Sequence, residues 1–147
     1  MSRILVLVHL AAVIVWLGGM FFAQVCLRPA VVAQLPPPQR LALLAEVLRR
    51  FFVAVGIALL LLWGSGLLRY AQVGAATPWS WQVMAGIATV MTLLFGLIVV
   101  RFRRRLVVAV AAQDWPAAAA AMKGIGHLVL VNLVLGFTTV AVAVLSA

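Results

Sequence analysis

Acidic residues and cysteines are almost missing from this sequence. Among its 147 residues, Glu46 and Asp114 are the only acidic ones and Cys26 is the one cysteine. This count excludes hydrolysis by paired carboxylates, and it excludes an internal disulfide and every cysteine-based zinc site. The sequence also lacks a glycine-rich phosphate loop and a Ser/His/Asp set. These absences weigh against an enzyme.

Charged residues of either sign are scarce as well. They make up 9% of the chain, whereas hydrophobic residues make up 67%. A soluble domain has roughly a quarter charged residues and about half apolar ones, so this composition predicts an integral membrane protein. The net charge of +9 comes from basic residues beside apolar runs, where they can meet anionic lipid headgroups. We therefore expect membrane lipids as partners, and no nucleic acid.

Four apolar runs are long enough to cross a bilayer. They cover about residues 4–27, 51–68, 81–100 and 124–145, and they predict a single transmembrane domain over 1–147. As a helix the first run spans about 36 Å, which is too long for the apolar part of a signal peptide, so we expect it to be retained. No segment shows the alternation of a strand. The predicted fold is an all-α integral membrane four-helix bundle.

The ends of the predicted helices follow from local signals. Arg28 and Pro29 are expected to end the first helix, because proline lacks an N–H group. Residues 69–80 are predicted to form a loop. Asp114 is expected to cap the start of the fourth helix. Helices two to four are predicted to extend beyond their spans on the side of the first and third connections.

Basic residues are distributed unevenly about the spans. Only Arg3 and Arg69 lie on one side. The other nine flank the first and third connections and are Arg28, Arg40, Arg49, Arg50, Arg101, Arg103, Arg104, Arg105 and Lys123. Cytoplasmic flanks carry the excess of Lys and Arg, so both connections and the helix extensions beside them are predicted to be cytoplasmic, and both termini periplasmic.

The first span places three unusual side chains on one face. At about 100° per residue, Trp16 and Met20 fall within roughly 20° of His9. An ionisable side chain inside a span is costly toward lipid and therefore indicates a functional site. Three roles stay open for His9, namely a hydrogen bond to a neighbouring helix, ligation of a metal or cofactor, and a proton relay.

Sulfur side chains extend the set of candidate copper ligands. Met20 and Cys26 belong to the first span, and Met84 and Met91 to the third. Imidazole, thioether and thiolate suit Cu(I). His9 and Met20 are about 16 Å apart along a helix, so a copper site needs ligands from other helices. The alternative is that the methionines fill the core and that Cys26 is a small apolar residue at a helix end.

Polar residues near the other spans favour packing and lipid contacts. Asn132, Gly136 and Thr139 form a small and polar stripe that predicts close helix packing. His127 opens the fourth span and is expected at the headgroups. The four arginines after the third span are also expected to contact headgroups; they are Arg101, Arg103, Arg104 and Arg105.

The first span resembles a known family. His9, Trp16, the run Gly18, Gly19, Met20, Phe21 and Phe22, and the closing Arg28 and Pro29 resemble the first span of the copper-resistance protein D (CopD) family. The segment Asn132 to Gly136 is similar to that family's fourth span. The resemblance implies a small four-helix protein of the bacterial inner membrane with a role in copper transport, handling or resistance.

The resemblance also leaves functions other than a copper-linked role open. The related membrane protoporphyrinogen oxidases bind haem b and share the first-span histidine, but the lysine and histidine of their third span are missing here. A haem held by His9 would take one histidine from this chain, with Gly18 and Gly19 leaving room for the macrocycle. A third alternative is an accessory or scaffold subunit of a membrane complex, or a homo-oligomer.

Overall fold

The computed structural model describes residues 2–146 as four long helices joined by short connections. Helix α1 comprises Ser2–Phe22, a π-helical segment Ala23–Leu27 and a final part Arg28–Gln34. Helix α2 is Pro37–Val73. Helix α3 comprises Trp79–Leu97, the π-helical Ile98–Arg103 and Arg104–Ala111. Helix α4 is Trp115–Leu145. No strand occurs within 2–146, so the chain is all-α there, as predicted.

The four helices pack as an antiparallel bundle. Helix α1 lies against α2, α3 lies against α4, and α4 also contacts α1 and α2. Leu17 lies against Gly136, and Gln24 donates a hydrogen bond to the carbonyl oxygen of Gly126. Because the later residue of α1 meets the earlier residue of α4, these two helices run in opposite directions.

Each helix is long and apolar enough to cross a membrane. Each also turns large apolar side chains away from the bundle, such as Ile14, Leu60, Leu93 and Val144. An apolar exterior of this extent is unusual in a soluble monomer, whereas lipid solvates it well. The length, composition and surface of the four helices are therefore consistent with a multi-pass membrane protein.

The first helix continues past its predicted end. Residues Arg28–Gln34 are helical, so the prediction that Arg28 and Pro29 end the helix is wrong. Pro29 stands at the start of this last part, directly after the π-helical segment Ala23–Leu27. A π-helical turn bonds over five residues instead of four, and this wider turn lets the chain pass a residue that lacks an N–H group.

The connection between α2 and α3 is shorter than the predicted loop over 69–80. Helix α2 continues to Val73, and a 3₁₀ turn follows at Gly74–Ala76. Gly74 has a φ of 61°, a conformation that favours glycine because a Cβ would be strained there. Helix α3 begins again at Trp79. The loop prediction missed one further turn of helix on α2.

The predicted helix extensions and the predicted cap of the fourth helix agree with the structure. Helix α2 begins at Pro37 and runs without interruption through the predicted span. At α4, the Asp114 Oδ1 accepts a hydrogen bond from the N–H of Ala117 at 3.0 Å, which confirms the predicted cap. Helices α2, α3 and α4 all extend beyond their apolar spans at the same end of the bundle.

The π-helical segment of α3 keeps one face of that helix turned inward. Ile98 and Leu106 are both buried, yet they are eight residues apart. In an uninterrupted α-helix this spacing would rotate them about 80° from each other. A π-helical turn absorbs one extra residue, which brings the two side chains to within about 20°.

Candidate functional site

His9 packs against α2, where two small residues receive its ring. The ring is half-buried, and its Nδ1 lies 3.1 Å from the Oγ of Ser65. A Cβ on Gly66 would stand 3.5 Å from the His9 Cε1. A Cβ at this position would make ordinary van der Waals contact with the ring, so Gly66 lies beside the ring and a small side chain there would fit.

The hydrogen bonds of Ser65 are compatible with a proton on the Nδ1 of His9. Ser65 is buried, and its hydroxyl donates to the carbonyl oxygen of Leu61 at 2.6 Å. When the one hydroxyl proton lies on a carbonyl oxygen of α2, the Ser65 oxygen can accept from a protonated Nδ1 of His9. The neutral ring then keeps its lone pair on Nε2. This is the state in which an imidazole binds a metal or accepts a proton.

Arg69 lies one turn beyond Ser65 on the same face of α2. Its guanidinium carbon is 5.3 Å from the centre of the Trp81 ring, a cation–π contact between α2 and α3. The end of the bundle that holds His9 therefore also holds an arginine that is anchored to a tryptophan.

The other residues of the predicted face are core residues. Trp16 and Met20 are each 2% exposed and, with Ala12, form a row at four-residue spacing that faces the neighbouring helices. Met20 stands about 16 Å along α1 from His9. The side chains of Trp16 and Met20 fill space between helices, and Met20 is too far from His9 to bind the same ion.

The remaining sulfur side chains lie in three different environments. Met91 is buried, Met84 is half-buried, and Cys26 is exposed. Met84 and Met91 belong to α3, whereas His9 bonds to α2. Within the described part of the chain, no three His, Cys, Asp or Glu side chains come together as a metal site. His9 is thus an isolated nitrogen donor among the residues of these four types.

The glycines predicted to make room near His9 differ in their surroundings. A Cβ on Gly19 would collide with the ring of Phe51, so that space is filled by helix packing. A Cβ on Gly18 would meet nothing within 4 Å. The glycine next to the His9 ring is Gly66, where a Cβ would only touch the ring.

His127 is exposed on α4 at the other end of the bundle. Its neighbour Gly126 accepts a hydrogen bond from Gln24, which is fifteen positions after His9. At 1.5 Å per residue, the two histidines are therefore about 22 Å apart along the bundle. A single flat cofactor of haem size does not reach both rings.

The three residues of the predicted stripe on α4, Asn132, Gly136 and Thr139, make three separate contacts. Asn132 is 1% exposed, and its Nδ2 donates to the carbonyl oxygen of Met91 at 3.1 Å. A Cβ on Gly136 would lie 2.9 Å from the Leu17 side chain, so Gly136 permits the close approach of α1. The hydroxyl of Thr139 donates to Leu135 of its own helix at 3.0 Å, so this bond does not link two helices.

Sequence reasoning missed Ser65, Gly66 and Arg69. The signal was present in the run Gly64, Ser65 and Gly66, which interrupts a span of leucine and tryptophan with three small residues. Small residues in a transmembrane helix mark places where another helix or side chain approaches closely.

No protein-family model matches this sequence, and no curated protein or solved structure is significantly similar to it. The function is therefore argued from the geometry around His9 and from the resemblance of its first span.

Proposed function

We propose that this protein has a copper-linked role in a bacterial inner membrane and that His9 is the side chain that contacts the metal. The observation that carries the proposal is the hydrogen bond between His9 Nδ1 and Ser65, which leaves Nε2 outside this bond and available to a metal. Nitrogen and sulfur donors are the ligands that suit Cu(I). The resemblance of the first span to the CopD family supports the same role.

Copper is proposed as cargo and not as a resident ion. A resident site needs several convergent donors, and the described part of the chain brings no three His, Cys, Asp or Glu side chains together. A single oriented imidazole suits a contact that forms and breaks as an ion passes. The buried Met20 and Met91 then serve the packing of the bundle.

The proposal predicts that His9→Ala abolishes the copper-linked role. Cells that carry this variant are expected to match a deletion strain in copper content and copper tolerance, because the variant lacks the nitrogen donor.

Ser65→Ala should weaken copper binding by about 10–100-fold, since the ring of His9 loses the bond that orients it. Copper content of washed cells and growth in added copper measure the effect of His9→Ala, and Cu(I) binding by the purified protein measures the effect of Ser65→Ala.

His127→Ala is the matched control, because it removes the only other histidine from an exposed position at the far end of the bundle. It is expected to behave as wild type. If His9→Ala also behaves as wild type in both assays, His9 does not contact copper.

Haem b binding is the second candidate, and the same hydrogen bond favours it. A haem iron needs an axial imidazole with a fixed ring orientation, and Ser65 fixes the ring of His9. Such a haem takes one histidine from this chain, because His127 is too distant. Protoporphyrinogen oxidation is less well supported, because residues 81–100 contain neither lysine nor histidine.

We also propose that both termini are periplasmic. The support is that nine of the 11 basic residues flank the end of the bundle where α1 ends and α4 begins. A reporter fused after Ser146 should be active only if it functions in the periplasm. Activity of a cytoplasmic reporter alone at this position would reverse the orientation and place His9 near the cytoplasm.

A further inference from the structure

A cleft of about 700 Å³ opens between the end of α3 and the start of α4, at the end of the bundle opposite to His9. One wall carries Arg101, Arg104 and Arg105. The other wall is formed largely by alanines, among them the exposed Ala117 and Ala120. The cleft exists because these small side chains do not fill the space between the two helices.

The three arginines of the cleft are exposed and have no counter-ion among residues 2–146. Over residues 2–146, Glu46 forms the only ion pairs, and its partners are Arg49 and Arg50 on α2. Asp114 is the one acidic residue of the cleft, and its Oδ1 already accepts the N–H of Ala117. The cleft therefore carries a net positive charge.

The cleft also has an apolar side that opens outward. Val100 and Val108 line it and are 73% and 63% exposed. Its arginines follow directly after the predicted span 81–100, at the depth where lipid headgroups meet acyl chains. Cationic and apolar groups side by side match a molecule that joins a phosphate to a hydrocarbon chain.

We propose that this cleft binds an anionic phospholipid. The three guanidinium groups hold the headgroup phosphate, and an acyl chain passes Val100 toward the hydrocarbon core. Planar guanidinium groups suit phosphate because two N–H groups can bond to two of its oxygens. The site is independent of the copper-linked role of His9.

Native mass spectrometry of the full chain tests this site with two lipids of matched acyl chains. In a mixture of equal parts, the wild type is expected to retain phosphatidylglycerol in preference to phosphatidylcholine. Replacing all three arginines by glutamine should weaken retention of phosphatidylglycerol about tenfold or more, because each basic residue near an anionic headgroup adds to the attraction.

The matched control replaces Arg40, Arg49 and Arg50 by glutamine. It removes the same formal charge from the same end of the bundle but leaves the cleft intact. Hydrogen bonds from Arg49 and Arg50 lower the pKa of the Glu46 carboxyl to about 2, so those two arginines are already paired at neutral pH. The control is expected to retain lipid within about twofold of wild type, and an equal loss in both variants would contradict the proposal.

A second variant tests the shape of the cleft without changing its charge. Ala117→Leu with Ala120→Leu fills the cleft from the α4 side and keeps all three arginines. It should lose phosphatidylglycerol as the glutamine variant does. Unchanged retention would mean that surface charge alone attracts the lipid. Displacement of the lipid by inorganic phosphate would assign the cleft to the free ion, and either result overturns the proposal.

Discussion

Trp16→Ala is expected to lower the free energy of unfolding by about 3–5 kcal/mol. Trp16 is 2% exposed and stands in the middle of the buried row of α1. Its removal leaves a cavity between helices that the backbone cannot close fully, and the surrounding atoms lose their dispersion contacts. Unfolding of the purified protein in mixed micelles of increasing denaturing detergent measures the change.

Trp79→Ala is the control for this prediction. Trp79 is the first residue of α3 and is 68% exposed, so its removal creates no internal cavity. It is expected to change the free energy of unfolding by less than about 1 kcal/mol. A Trp16→Ala protein that is as stable as wild type would contradict the packing role and would favour a role for this indole in a binding site.

The second large effect is expected at Asn132. Asn132→Asp should destabilise the bundle by about 3 kcal/mol or more at neutral pH, because it places a carboxylate inside the helix bundle. In the structure, the Asn132 amide makes one bond to Met91, and its Oδ1 is buried without a partner among the described residues. A negative charge at that oxygen gains no donor. The same unfolding assay measures the loss.

Asn132→Leu separates the charge from the shape of the side chain. It removes one interhelical hydrogen bond, which contributes about 0.6 kcal/mol on average in a membrane bundle, and it also removes the unpartnered oxygen. The expected net change is therefore less than about 1 kcal/mol. An Asn132→Leu protein as unstable as Asn132→Asp would show that the amide itself is required.

The helical architecture was predictable because it depends on periodic composition. Four apolar runs and a shortage of charge are enough to predict four membrane helices, and the cap at Asp114 follows from its residue type. The continuation of α1 past Pro29 was not predictable in this way. Proline usually ends a helix, and here a π-helical segment whose sequence has no distinctive signal allows the helix to continue.

The sequence identified one of the two partners in the site, His9, but not the other, Ser65. The position of His9 in an apolar span identifies it as unusual from sequence alone. Its partner Ser65 comes from another helix and is 56 positions away, so the pairing depends on how α1 and α2 pack. The same packing places Phe51 against Gly19, where the sequence had suggested room for a cofactor.

The arginines after the third span show what could not be predicted from sequence at the end of the bundle opposite His9. All four were expected at the headgroups as one group. In the structure Arg101, Arg104 and Arg105 line the cleft, whereas Arg103 is half-buried and its Nε has no partner within the described residues. The π-helical segment Ile98–Arg103 shifts the phase of the helix, and a regular 3.6-residue period does not include that shift.

The proposed contact between His9 and copper is tested by measuring Cu(I) binding of the purified protein and of its His9→Ala variant and by recording an absorption spectrum of each sample. We expect wild type to bind Cu(I) and to show no Soret band, and we expect His9→Ala to bind Cu(I) at least about tenfold more weakly. A Soret band that disappears in His9→Ala would retain His9 as the ligand and replace copper by haem. Equal copper binding and identical spectra for the two proteins would contradict the claim that His9 contacts a metal.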